Sequence, residues 1–237
     1  MIGLGTIINT IAIILGGIAG KLFGNLLKED HRDSLTMVCG ISTIFIAIAG
    51  AMEGMLGLED GVIVSGQAMM VTISLALGTL IGELINIEDF FIRFGEWLKI
   101  KTKNAKDVNF VNAFVTASLT VCIGAMAVVG SIEDGISGDY SILATKAVLD
   151  LIIIMVMTCS MGKGCVFSAI PVLIIEGLIT LLASFIKPFV TTLAMSYLSL
   201  VGSILIFCVG INLVWGKKIK VANMLPALVV AVAISFI

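Results

Sequence analysis

Gly-Ala-Met-Ala-Val-Val-Gly-Ser-Ile-Glu-Asp-Gly, residues 124–135, closes one apolar run and opens what reads as a short acidic loop. Residues 50–61, Gly-Ala-Met-Glu-Gly-Met-Leu-Gly-Leu-Glu-Asp-Gly, are an earlier copy. Gly50/Gly124, Ala51/Ala125, Met52/Met126, Glu59/Glu133, Asp60/Asp134 and Gly61/Gly135 match at one offset with no gap. A fainter echo lies near the C-terminus. There Phe207-Cys208-Val209-Gly210 and Gly216 parallel Val121-Cys122-Ile123-Gly124 and Gly130. The chain therefore reads as repeated membrane hairpins within one integral membrane domain, 1–237. The copies lie near 35–85 and 110–161, with a weaker one near 196–237. Residues 86–107 form a cytoplasmic linker, first amphipathic and then basic.

Working outward, the composition is 59% hydrophobic and 13% charged, and mean hydropathy is +1.18. Soluble domains are nearer 45–50% apolar and about 25% charged. Several runs approach the roughly 20 apolar residues that a spanning helix needs. A membrane barrel would show short alternating strands instead, and none is expected. The expected fold is all-α: a polytopic helical membrane protein with about eight transmembrane helices, or seven if one run is re-entrant. Pro171 and Glu176 mark the sixth run as the candidate for re-entry. The five cysteines lie in or beside apolar runs and match no metal spacing. His31 is the sole histidine. No metal, cofactor, nucleic-acid partner or enzyme activity is expected, and no nucleotide-binding loop is present.

Cytoplasmic loops collect Lys and Arg. With eight spans and both termini outside, twelve of the fourteen Lys and Arg residues fall inside. Lys146 and Lys187 are the two left over. Glu59, Asp60, Glu133, Asp134 and Asp139 fall outside. Phe90, Phe91, Phe94, Trp97 and Leu98 share one face of a helix that lies in the interface. The expected location is the bacterial inner membrane.

Charged groups inside the bilayer are costly, so each is read as a site or as a pair. Lys146 and Asp150 are four residues apart and share a helical face. Glu176 lies mid-run beside Gly177. Asn9, Gln67, Asn212 and Asn223 bring amides that serve a cation or tie helices together. Together these seven residues are the candidates for a substrate or ion pathway. Gly16, Gly20 and Gly24 form a small-residue stripe for helix packing, either inside the chain or in a homodimer. The expected partners are the lipid bilayer and a small cation or solute. The functional expectation is a transporter or channel, secondary because no ATP-binding motif occurs. The alternative is a membrane scaffold or sensor that moves nothing.

Four segments carry a family resemblance: Leu4-Gly5-Thr6-Ile7-Ile8-Asn9; residues 124–135 with Ser137-Gly138-Asp139-Tyr140-Ser141; Phe167-Ser168-Ala169-Ile170-Pro171; and Val221-Ala222-Asn223-Met224-Leu225-Pro226-Ala227. They resemble the bacterial YqgA-like family of uncharacterised inner-membrane proteins along the whole chain. That family carries the label of a sodium channel or pump. The resemblance implies a direction for function and assigns no residues.

Overall fold

The computed structural model describes residues 2–24, 26, 28–59, 61–189 and 191–237. Asp60, one of the expected outer acids, lies outside the described residues. In chain order the helices and strands are α1 (Leu4–Gly24), α2 (Glu29–Met55), β1 (Leu56–Glu59), β2 (Val62–Ser65), α3 (Ala68–Ile85), α4 (Ile87–Lys101), α5 (Phe110–Cys122), α6 (Ala125–Ser137) and α7 (Ser141–Met161). A 3-10 segment, Lys163–Ser168, leads into α8 (Ala169–Leu181) and α9 (Ala183–Ile186). After a second 3-10 turn come α10 (Thr192–Trp215), α11 (Val221–Met224) and α12 (Pro226–Ile234).

Among the described residues six helices are long and apolar enough to cross a membrane, or seven if α5 and α6 make one bent span. Val221–Ile234 is a shorter apolar helix. At 1.5 Å per residue it covers about 21 Å, less than the roughly 30 Å hydrocarbon core. The expected eight runs thus become six long helices, one bent pair and one short piece. The chain is a multi-pass helical membrane protein.

The chain divides into two compact units. The first comprises Met1–Cys39 and Phe90–Pro188, the second Gly40–Asp89 and Phe189–Ile237.

In the first unit α1 and α7 run side by side in the same direction. Gly16, Gly20 and Gly24 form the contact. A Cβ at Gly16 would collide with the Leu151 carbonyl, and one at Gly20 with that of Met155. At Gly24 it would stand 3.1 Å from the Cα of Cys159. Only glycine lets two backbones approach so closely. The glycine seam is therefore internal, and the face expected for a homodimer is taken by α7. The opposite face of α1, with Ile7, Ile11, Ile14, Ile18 and Leu22, is exposed, as a lipid-facing stripe must be.

The break expected in the sixth run lies in the fourth instead. Lys163–Leu181 passes as one span. Pro171 sits in the first turn of α8, where a missing N–H leaves no helical bond unmade. Between α5 and α6 the chain bends by 62°. Gly124 has φ 151 and ψ 152, a conformation open essentially to glycine alone. The bent pair nevertheless follows α8 along its length. The Phe110 ring packs on Phe167 with centroids 5.2 Å apart at one end. At the other, Gly135 fits tightly against Thr180 and Ala183.

In the second unit α2 lies antiparallel to α10. Gly40 meets Leu213 and Val214, Gly50 meets Ser203, and Gly54 meets Leu200. The short helices α11 and α12 run antiparallel to α3, with Gly82 against Asn223 and Gly78 against Ala227. The third run does not begin at Val62. Val62–Ser65 pairs antiparallel with Leu56–Glu59 as a small hairpin, and α3 starts at Ala68.

The two copies matched at residues 50–61 and 124–135 follow different backbone paths. The earlier one finishes α2 and enters β1, whereas the later one starts at the bend and becomes α6.

Candidate functional site

The site grows from the break at Gly124. In a continuous helix the Val121 carbonyl would accept the amide of residue 125. The bend removes that donor within a buried segment, and the freed carbonyl must find another partner. The partner is Lys146, whose Nζ donates to the Val121 oxygen at 2.9 Å. The same ammonium forms an ion pair with Asp150 Oδ2, one turn on along α7, and reaches Glu176 Oε1 of α8 at 3.4 Å. From α1, Asn9 Nδ2 donates to the same Glu176 oxygen at 2.9 Å. Four helices thus contribute to one cluster.

The cluster is dry. Lys146 is 6% exposed, Asp150 4%, Glu176 1% and Asn9 0%. Lys146 lies about 7 Å and Asp150 about 13 Å along α7, a helix of roughly 31 Å. Both therefore sit within the span. One cation faces two carboxylates, and buried charges at this depth are tolerated only when paired. Two acceptor atoms have no partner in the protein, Glu176 Oε2 and Asn9 Oδ1. One turn further on, the hydroxyls of Thr6 and Thr180 lie 3.4 Å apart, both side chains nearly fully buried. The α1–α8 contact thus carries a line of oxygens from hydroxyl, amide and carboxylate. Hard oxygen donors of this kind suit a proton or a small hard cation.

Asp134 was expected in an outer acidic loop. It is a fully buried residue of α6. Its Oδ1 accepts the amide of Gly3 at 3.1 Å, and its Oδ2 accepts that of Gly5 at 2.9 Å. A carboxylate at a helix N-terminus satisfies orphan amides and complements the helix dipole. The signal available in the sequence was that α1 has no acid in its own first turn. Asp139 does lie in a connection. The amide and hydroxyl of Ser141 donate to it at 2.9 and 2.6 Å, which holds its carboxyl below the usual carboxylate range.

Three of the seven pathway candidates belong to the second unit and have local tasks. Asn223 is fully buried, and its Oδ1 accepts the Glu88 amide at 2.7 Å in the first turn of α4. Asn212 clamps the turn after α10. It accepts the amides of Lys218 and Ile219 and donates to the Ile219 carbonyl. Gln67 was expected inside a span. It stands exposed at the N-cap of α3 with φ 66.

A family model described as "Protein of unknown function (DUF554)" matches residues 4–236. An uncharacterized membrane protein of Bacillus subtilis, YdfK, is 31% identical over 233 residues, covering 98% of this chain and 96% of the relative. An uncharacterized protein of Escherichia coli, YqgA, is 29% identical over 236 residues, again covering 98% and 96%. No solved structure matches.

Proposed function

The chain belongs to the DUF554 family of proteins of unknown function, and we propose that it is a secondary transporter or channel. Its cargo in this reading is a small cation or a small solute moved with one. Lys146, Asp150, Glu176 and Asn9 form the site. The observation that carries the reading is the pair of unpartnered buried oxygens, Glu176 Oε2 and Asn9 Oδ1, beside a lysine already shared between two carboxylates. Buried acceptors in native proteins nearly always have a hydrogen-bond partner, so two left open beside a charged cluster call for a proton, a water or a cation.

A broken helix next to buried ionisable groups is a recurrent arrangement in secondary transporters. When Glu176 takes up a proton or cation, Lys146 shifts its share of charge toward Asp150. Asp150 and the Val121 carbonyl then remain as its acceptors. The bend between α5 and α6 is thereby coupled to occupancy of the site.

Orientation follows from charge in this proposal. Lys21, Arg32 and Lys163 gather at one end of the first unit and face the cytoplasm of a bacterial cell, and Asp139 faces outward. Impermeant thiol labelling of single cysteines placed at 139 and 163 checks it, with the first expected to react from outside.

The test of function is flux into proteoliposomes under imposed gradients of protons, sodium or potassium. A gradient-dependent flux lost in Asp150→Asn and Glu176→Gln supports the assignment. A flux unchanged in both variants refutes it.

A further inference from the structure

The end of α7 remote from the carboxylate cluster carries a second constellation. There α1 and α7 finish side by side, and a cavity of about 260 Å³ opens at their ends. Its wall includes the cations Lys21, Arg32 and Lys163, the carboxylates Asp33 and Asp107, and the hydroxyl residue Thr158. Among the described residues none of these three cations forms an ion pair with either carboxylate. Lys163 turns to the Asn104 amide oxygen at 2.6 Å. Arg32 places Nη2 on the Gly24 carbonyl at 2.6 Å and keeps a buried Nε without a partner. Thr158 is 3% exposed, and its hydroxyl is set against the Cys165 thiol.

We propose that this cavity binds the zwitterionic headgroup of an aminophospholipid. The phosphate lies against Arg32 and Lys21, and the primary ammonium against Asp33 and Asp107. A simple anion would meet two carboxylates here, and a simple cation would meet three positive side chains. A ligand carrying both signs serves all five charges. Arg is the side chain best shaped for phosphate oxygens, and an ammonium offers three donors to carboxylates. The volume corresponds to roughly nine waters of liquid, ample for a phosphate with a short aminoalkyl arm. The position fits as well, since the ends of spanning helices lie where headgroups begin.

The experiment uses the full-length protein in mixed micelles with equal amounts of phosphatidylethanolamine, phosphatidylglycerol and phosphatidylcholine. Native mass spectrometry reads which lipid is retained. We expect phosphatidylethanolamine to be favoured about tenfold over each of the others. That preference should vanish in Arg32→Gln and in Asp107→Asn, and Lys21→Gln, at an exposed position, should weaken it without unfolding. Free phosphoethanolamine is the second arm. If it displaces the lipid, the headgroup alone is recognised. If it does not while the lipid preference persists, the acyl chains contribute, and the headgroup assignment still stands. Equal retention of all three lipids overturns the proposal. So does a preference for phosphatidylglycerol that survives Asp107→Asn. None of these readouts depends on transport.

Discussion

Lys146 donates its ammonium to the backbone carbonyl of Val121 at 2.9 Å, at the point where α5 stops and the chain bends. One side chain thereby replaces a missing helical hydrogen bond and pairs with carboxylates on two helices. Backbone geometry and site electrostatics are tied through a single nitrogen.

Lys146→Met should therefore be among the most damaging single changes. It strips Asp150 and Glu176 of their cation and leaves the Val121 oxygen bare. Removing one partner of a buried pair costs about 3–5 kcal/mol. The double variant Lys146→Met with Asp150→Asn should recover part of that loss. Unfolding in detergent micelles measures both. A single variant no less stable than the double would contradict the arrangement.

The glycine seam predicts a sharp positional contrast. Gly16→Val drives a branched side chain into the Leu151 carbonyl and should destabilise by about 1–3 kcal/mol or more. Gly177, in α8, has open space where a Cβ would go. Gly177→Ala should be neutral, or stabilising by up to about 1 kcal/mol through helix propensity. Melting temperatures of the two variants give the comparison.

Asp134→Ala uncaps α1. Loss of a buried acceptor for two amides should cost about 1–3 kcal/mol, and Asp134→Asn, with one carbonyl oxygen, should fall between. Hydrogen exchange should accelerate at Gly3 and Gly5 and remain unchanged along the middle of α7. Protection that survives at Gly3 and Gly5 would rule out the cap.

Asp139 sets an acid-range signature. Its carboxyl is depressed in the folded chain by hydrogen bonds from Ser141. A depressed folded pKa means the contribution is present above the ordinary carboxylate value and is lost as pH falls through the folded one. Ser141→Ala should move the Asp139 titration upward, toward the ordinary value, in a carbon-13 NMR titration. An unmoved titration would assign the depression to another cause.

The sequence displayed the charges of the site more clearly than its geometry. Lys146 and Asp150 declare their pairing through helical spacing, and Glu176 stands out because a mid-run carboxylate needs a reason. Asn9 was visible only as a polar residue that needed a partner. Its meeting with Glu176 depends on α1 lying against α8, which no local pattern encodes. The glycine stripe announced close packing and left the packed helix unspecified. Pro171 is the conspicuous breaker and draws the expected bend to the wrong run. In the first turn of α8 a proline is harmless, whereas Gly124 looks like any small residue of an apolar helix. Asp134 reads as a loop residue for a related reason. Glu-Asp-Gly has a loop's composition, and the amides that draw Asp134 inward, at the start of α1, are distant in sequence. The hairpin at 56–65 continued an apolar run whose alternation was too short to separate from helix.

The central claim is that Glu176 keeps one carboxylate oxygen free to take a proton or cation. Infrared difference spectra of the purified protein, recorded on acidification and on addition of sodium or potassium, address it directly. The account predicts a buried protonated-carboxyl band that appears with acid, is reversed by whichever of the two cations binds, and is absent in Glu176→Gln. A band that is unchanged in Glu176→Gln, or no carboxyl response to protons or either cation in the wild type, would contradict it.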